Sequence, residues 1–147
     1  MNIFIFASIA EADYALKNAV VLEKLSDEPF KMFKATTENK SIGIVISGIG
    51  KVHAGACLVT AINCFGINNN FINAGTSGSL DANEANILDV VIASKLVQHD
   101  VDTTALGDPL GMISGPNKVF FETSSDLNKT IEEGCHKSKI NPAYGII

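Results

Sequence analysis

The sequence predicts an α/β protein: a central mixed, mostly parallel sheet flanked by helices. Three observations predict it. Short apolar runs of strand length alternate with stretches of helical spacing. Glycines fall repeatedly where a strand passes into the next segment. The run 87–97 is long and β-branched, as suits a strand buried on both faces of a central sheet.

Taken in order, Ile3 to Ala7 is a short buried strand, and the spacing of Ala12, Leu16, Ala19, Val20 and Leu25 predicts a helix over 10–25. Runs 30–35 and 42–47, separated by the polar Glu38-Asn39-Lys40, predict a hairpin or two adjacent strands. A helix over 51–65 follows, then a strand at 71–74 entering the small-residue stretch Gly75-Thr76-Ser77-Gly78-Ser79. Segment 98–116 is rich in Asp, Thr, Gly and Pro with no period, which predicts a long functional or mobile loop. Segment 124–139 is helical, capped by Ser124 or Ser125, and 143–147 starts a further strand.

A chain of 147 residues is the size of one domain, so 1–147 is expected to form a single unit. The net charge of -5 argues against a nucleic acid or an anionic membrane as partner. All 11 basic residues are lysines, so no planar guanidinium fork is available to clamp a phosphate. Cys57, Cys64 and Cys135 are odd in number and lack CxxC spacing; they are expected to be reduced core residues of a cytoplasmic protein. No basic leader precedes the first apolar run, and no window reaches the ~18 apolar residues of a membrane span.

Ser47-Gly48-Ile49-Gly50-Lys51 places two glycines between a strand and a helix, where backbone N–H groups meet the positive helix end. It is neither a Walker A loop nor a complete dinucleotide fingerprint, and by itself it is equally well a plain tight turn. Asn73-Ala74-Gly75-Thr76-Ser77-Gly78-Ser79 ends another strand and sets hydroxyls at the edge where α/β sheets bind ligands. No GxSxG nucleophile elbow is present there. His53, His99 and His136 are scattered without metal-ligand spacing, so neither a metal nor a cofactor is expected. Glu11 lies just after the first strand. A carboxylate there is ordinarily a favourable partner of the helix dipole, and its functional reading is a general acid or base at the sheet edge.

In order along the chain, these pieces resemble the nucleoside phosphorylase and nucleosidase superfamily, and most of all its methylthioadenosine/S-adenosylhomocysteine nucleosidases. The resemblance rests on Ala10-Glu11-Ala12, Ser47-Gly48-Ile49-Gly50-Lys51-Val52, Ile72 to Leu80, Leu88-Asp89-Val90-Val91, and His99 to Gly107. It implies hydrolysis of an N-glycosidic bond that releases adenine from a 5′-thio-substituted adenosine. Glu11 falls where the family keeps the carboxylate that orients and deprotonates water. Ser8, Ile49, Thr76, Ser77 and Gly78 fall at positions that contact the nucleoside, Ile49 on the sugar and thioalkyl side and Thr76 to Gly78 beside ribose and base. Thr76 stands for a family serine and Ser79 for a family glycine.

The resemblance further implies a homodimer in which a loop carrying Thr103 and Leu106 closes the neighbouring subunit's thioalkyl pocket; Asp108 stands where an aromatic residue is common. Family chains continue past the position of Ile147 into Ser-Gly-Asp, Met-Glu and Ser-Asp segments that grip ribose and protonate the leaving adenine, and the resemblance ends before them. General acid catalysis contributes ~10²–10⁴-fold. The expectation is therefore a chain truncated at its C-terminal side, an incomplete nucleosidase-like domain with little activity alone.

Two other functions compete. A purine nucleoside phosphorylase would use phosphate as nucleophile, but related phosphorylases hold that dianion with arginines, which this sequence lacks. A non-catalytic chain that needs a C-terminal partner would expose apolar surface and an open sheet edge.

Overall fold

The computed structural model describes residues 1–80 and 85–147. They form two compact units, Met1–Gly78 and Ser79–Ile147.

In the first unit β1 (Asn2–Phe6) is followed by α1 (Ile9–Asn18), β2 (Val20–Ser26), β3 (Lys31–Thr37), β4 (Lys40–Ile46), α2 (Lys51–Phe65) and β5 (Asn70–Asn73). The sheet order is β2-β3-β4-β1-β5. β1 lies at the centre of a parallel trio, in register Ile3↔Gly43 with β4 and Ile3↔Phe71 with β5. β2, β3 and β4 pair antiparallel because short turns join them. The turn between β3 and β4 puts Glu38 at φ 47° and Asn39 at φ 62°, a left-handed pair that matches the twist of a hairpin.

Side-chain alternation divides the core between the two faces of this sheet. Ile3, Ile5, Met32 and Val45 pack with Cys57 and Ala61, which lie four apart on α2. Phe6, Ala35 and Ile44 pack with Ala12 of α1. Full burial of an Ile or Met side chain stabilises by roughly 1.5–3 kcal/mol, so the wholly buried Ile3, Met32 and Ile44 anchor the sheet that carries the site.

The helix predicted over 10–25 is overturned in its second half. α1 stops at Asn18, and Val20 to Ser26 pair with β3 from Val20↔Thr36 onward. Val20-Val21-Leu22 favours a pleated surface, and the exposed edge of β3 supplied the partner that a helical reading ignored. Register shifts between Val21 and Glu23 and between Lys24 and Ser26 bend this edge strand.

In the second unit β6 (Val91–Val97), a 3-10 turn (Thr104–Leu106), β7 (Phe120–Glu122), α3 (Ser125–Lys137) and β8 (Ala143–Ile146) follow in order. The sheet order is β7-β6-β8, antiparallel on one side of β6 and parallel on the other. The Asn128 side-chain amide of α3 donates to Ala93 O and Thr123 Oγ1, both at 2.9 Å, and fastens the helix to β6. Ser124 caps α3, its hydroxyl accepting the Leu127 N–H.

The strand predicted over 87–97 begins only at Val91, because Leu88 sits at φ 75° in a turn closed by the Asp89 carboxylate on the Asn86 N–H at 2.7 Å. Nor is β6 buried on both faces: Ile92 is its one buried residue. β7 was not legible in the sequence. The described residues form two mixed sheets, whose pairings are parallel in β1–β4, β1–β5 and β6–β8 and antiparallel in β2–β3, β3–β4 and β6–β7. The α/β class holds, with parallel and antiparallel pairings in equal number. Of the cysteines predicted to lie in the core, Cys57 is buried, Cys135 is half-buried and Cys64 is exposed, being on the solvent side of the last turn of α2.

Candidate functional site

The parallel trio β4-β1-β5 brings three chain exits to one sheet edge. Two backbone bonds extend the ladder past the strands: Ser47 N–H donates to Phe6 O at 2.8 Å, and Ala74 N–H to Ile5 O at 2.9 Å. The buried Ser47 hydroxyl donates to Gly48 O at 2.9 Å and reaches Phe6 O at 3.3 Å, tying two of the exits together. Gly48 and Gly50, at φ 78° and 99°, turn the β4 exit into α2 through a left-handed backbone that Ile49 interrupts.

Ser8 and Glu11 form a capping box at the start of α1. The Ser8 hydroxyl accepts the Glu11 N–H at 3.2 Å, and Glu11 Oε2 accepts the Ser8 N–H at 3.1 Å. Oε2 also takes the Ala7 N–H at 3.0 Å. Oε1 faces the other exit, where it accepts the Thr76 N–H at 3.0 Å and the Thr76 hydroxyl at 3.2 Å. The Thr76 N–H first, then its hydroxyl and the Ser8 and Ala7 amides, hold the Glu11 carboxyl below its ordinary range against a smaller opposing effect of burial. Glu11 is thus an ionised carboxylate at neutral pH, aligned by four donors. One oxygen thus meets the start of α1 and the other the exit of β5.

An open cleft of about 440 Å³ lies over this carboxylate, lined by Ala7, Ser8, Ala10, Glu11, Ile49 and Thr76. The volume is in the range of small-molecule sites. Of the residues singled out in the sequence, Ser8, Glu11, Ile49 and Thr76 meet here. Ser77 and Gly78 follow on the same loop and are exposed, without lining the cleft. Thr103 and Leu106 belong to the second unit, where the Thr103 hydroxyl donates to Asp108 Oδ2 at 2.9 Å and Leu106 is exposed. Sequence reasoning missed Ala7, Ala10 and Gly75. The spacing Ser8-x-x-Glu11 is a capping-box signature and would have pointed to the first two. Gly75 carries no such local signal. Among the described residues no group of His, Cys, Asp and Glu is placed to hold a metal ion, and no helix is long and apolar enough to cross a membrane.

The chain is similar to known proteins along nearly its whole length. A methylthioadenosine/S-adenosylhomocysteine nucleosidase of Staphylococcus carnosus is 32% identical over 145 residues, covering 97% of this chain and 62% of that protein. An aminodeoxyfutalosine nucleosidase of Helicobacter pylori is 37% identical over 114 residues, 78% of this chain and 48% of its own length. The chain therefore spans about half to three fifths of the curated relatives it matches. A crystal structure of a mutant Helicobacter pylori nucleosidase, solved with 5′-methylthioadenosine in its active site, superposes with a TM-score of 0.87 at 31% identity, over 99% of this chain and 62% of that one. The family model described as the phosphorylase superfamily matches residues 7–147, and the chain belongs to that superfamily.

Proposed function

We propose that the protein is a nucleosidase that hydrolyses the N-glycosidic bond of methylthioadenosine and S-adenosylhomocysteine, releasing adenine. The observation that carries this reading is the Glu11 carboxylate, held ionised by Thr76 and the α1 cap in an open cleft of about 440 Å³. In the reaction Glu11 is the base that orients and deprotonates the attacking water as the glycosidic bond loosens. Ser8, Ile49 and the Thr76-Ser77-Gly78 loop border the sugar and base. The nearby family members support the reaction class, since their names and the bound 5′-methylthioadenosine are those of nucleosidases.

The same reading takes residues 1–147 as part of one nucleosidase-like domain, working as a cytoplasmic homodimer in which Thr103 and Leu106 close the neighbouring subunit's pocket. Its support is the family resemblance. Residues 1–147 supply the water side of the reaction.

The test is adenine release from 5′-methylthioadenosine in phosphate-free buffer by the full product of the reading frame. Release that falls about 10²–10⁴-fold in Glu11→Gln is the expected result. Release that requires phosphate and yields ribose 1-phosphate would replace water by phosphate as the nucleophile. No release from any 5′-thioadenosine overturns the proposal.

A further inference from the structure

We propose that Gly75 is a positioning residue for the Glu11 carboxylate: its bare backbone leaves the space in which Oε1 lies to receive both donors of Thr76. A Cβ at residue 75 would stand 2.7 Å from Glu11 Oε1, 3.1 Å from its Cδ and 3.4 Å from its Oε2. These are the three atoms nearest to that position, and all belong to Glu11. Two ordinary reasons for a glycine are absent. The φ of Gly75 is outside the left-handed region, and the residue is exposed, so neither backbone conformation nor core packing excludes a side chain.

The end of a glutamate usually yields to a new methyl group by swinging aside. Here Oε2 is anchored by the Ala7 and Ser8 amides, so a swing that clears the methyl breaks either that anchor or the Thr76 pair. Gly75 and Thr76 therefore act as a unit: one residue leaves the space, and the next fills it with donors. Pre-organised donors of this kind set both the direction and the charge of a base. The consequence for catalysis rests on the reading of Glu11 as the base; the geometric claim does not.

The experiment is a pH titration of the Glu11 side-chain carboxyl by ¹³C NMR in the wild-type chain, Gly75→Ala and Gly55→Ala, the last adding a methyl group in open space on α2. In folded Gly75→Ala the Glu11 midpoint moves up and the Thr76 amide proton loses its hydrogen-bonded shift, whereas Gly55→Ala matches wild type. An unchanged Glu11 midpoint and Thr76 amide in folded Gly75→Ala overturn the proposal. Should Gly75→Ala unfold, a double-mutant cycle decides. The loss of stability caused by Gly75→Ala disappears in a Glu11→Ala background if the carboxylate is what excludes the methyl, and persistence of that loss overturns the proposal. In the full reading-frame product the acid limb of the adenine-release profile moves up with the Glu11 midpoint. Failure of wild type to release adenine sinks the proposed function and leaves the titration result intact.

Discussion

Thr76 gives both of its donors to a single oxygen of Glu11, N–H at 3.0 Å and Oγ1 at 3.2 Å, although the two residues lie 65 positions apart. The other oxygen of the same carboxylate is occupied by the start of its own helix. One side chain thus joins the exits of β1 and β5, and its charge reports on both.

Thr76→Val removes the hydroxyl donor and keeps the amide. The Glu11 carboxyl is expected to titrate higher than in wild type yet still below its ordinary range, since the Thr76 N–H is the larger influence. Thr76→Ser retains the hydroxyl and should titrate as wild type. Carboxyl-detected NMR across the acid range measures both, and equal midpoints in Thr76→Val and wild type would remove the hydroxyl from the account.

The lowered Glu11 pKa also makes stability depend on pH, with a definite sign. In the unfolded chain the group titrates near its ordinary value of 4.5, and in the folded chain it titrates lower. Its stabilisation is therefore fully present above 4.5 and is lost as pH falls through the folded value. Urea unfolding of wild type and Glu11→Gln should give a difference that is constant above pH 4.5 and shrinks below it. A difference that grows toward acid pH contradicts the assignment.

Ser8→Ala deletes the hydroxyl that accepts the Glu11 N–H. Loss of such an N-cap costs ~0.5–2 kcal/mol, which at this chain length lowers Tm by roughly 2–4 °C per kcal/mol. Ser8→Asp, which restores an acceptor, should recover most of the stability in a thermal melt.

Leu88 holds φ 75° while 96% exposed, so it bears the cost of a left-handed backbone without the return of burial. Left-handed conformation costs an L-residue roughly 1–2 kcal/mol, and glycine loses about 0.4–1 kcal/mol through its freer unfolded chain. Leu88→Gly should thus stabilise by about 0.5–1 kcal/mol in chemical unfolding. A lower unfolding midpoint would show that Leu88 makes a contact beyond the turn.

The cysteines should separate by reactivity. Burial pushes the Cys57 thiol up to about 11, whereas Cys64 on the same helix is exposed. Thiolate is the reactive form, so iodoacetamide at neutral pH should label Cys64 well before Cys57, as read by peptide mass spectrometry. Labelling of Cys57 is expected only under denaturing conditions.

The sequence by itself determined the α/β class, a polar turn at Glu38-Asn39-Lys40, the extent of α2 and a serine cap for α3 at Ser124 or Ser125; the structure chose the hairpin and Ser124. These depend on neighbours a few residues away: turn residues that tolerate positive φ, an apolar run of helical length, a serine before the first turn. It also singled out Ser8, Glu11, Ile49 and Thr76 through motif resemblance, and these four meet at one cleft. Only the tertiary structure decided that Val20 to Ser26 is a strand, because its helical spacing was outweighed by pairing to the edge of β3. Tertiary structure also decided that Cys64 faces solvent and that β6 starts after the Leu88 turn. The meeting of Gly75, Thr76 and Glu11 was decided there too. Parallel strands join residues far apart in the chain, so the reason for a glycine at 75 is a carboxylate at 11, and no local pattern carries that information.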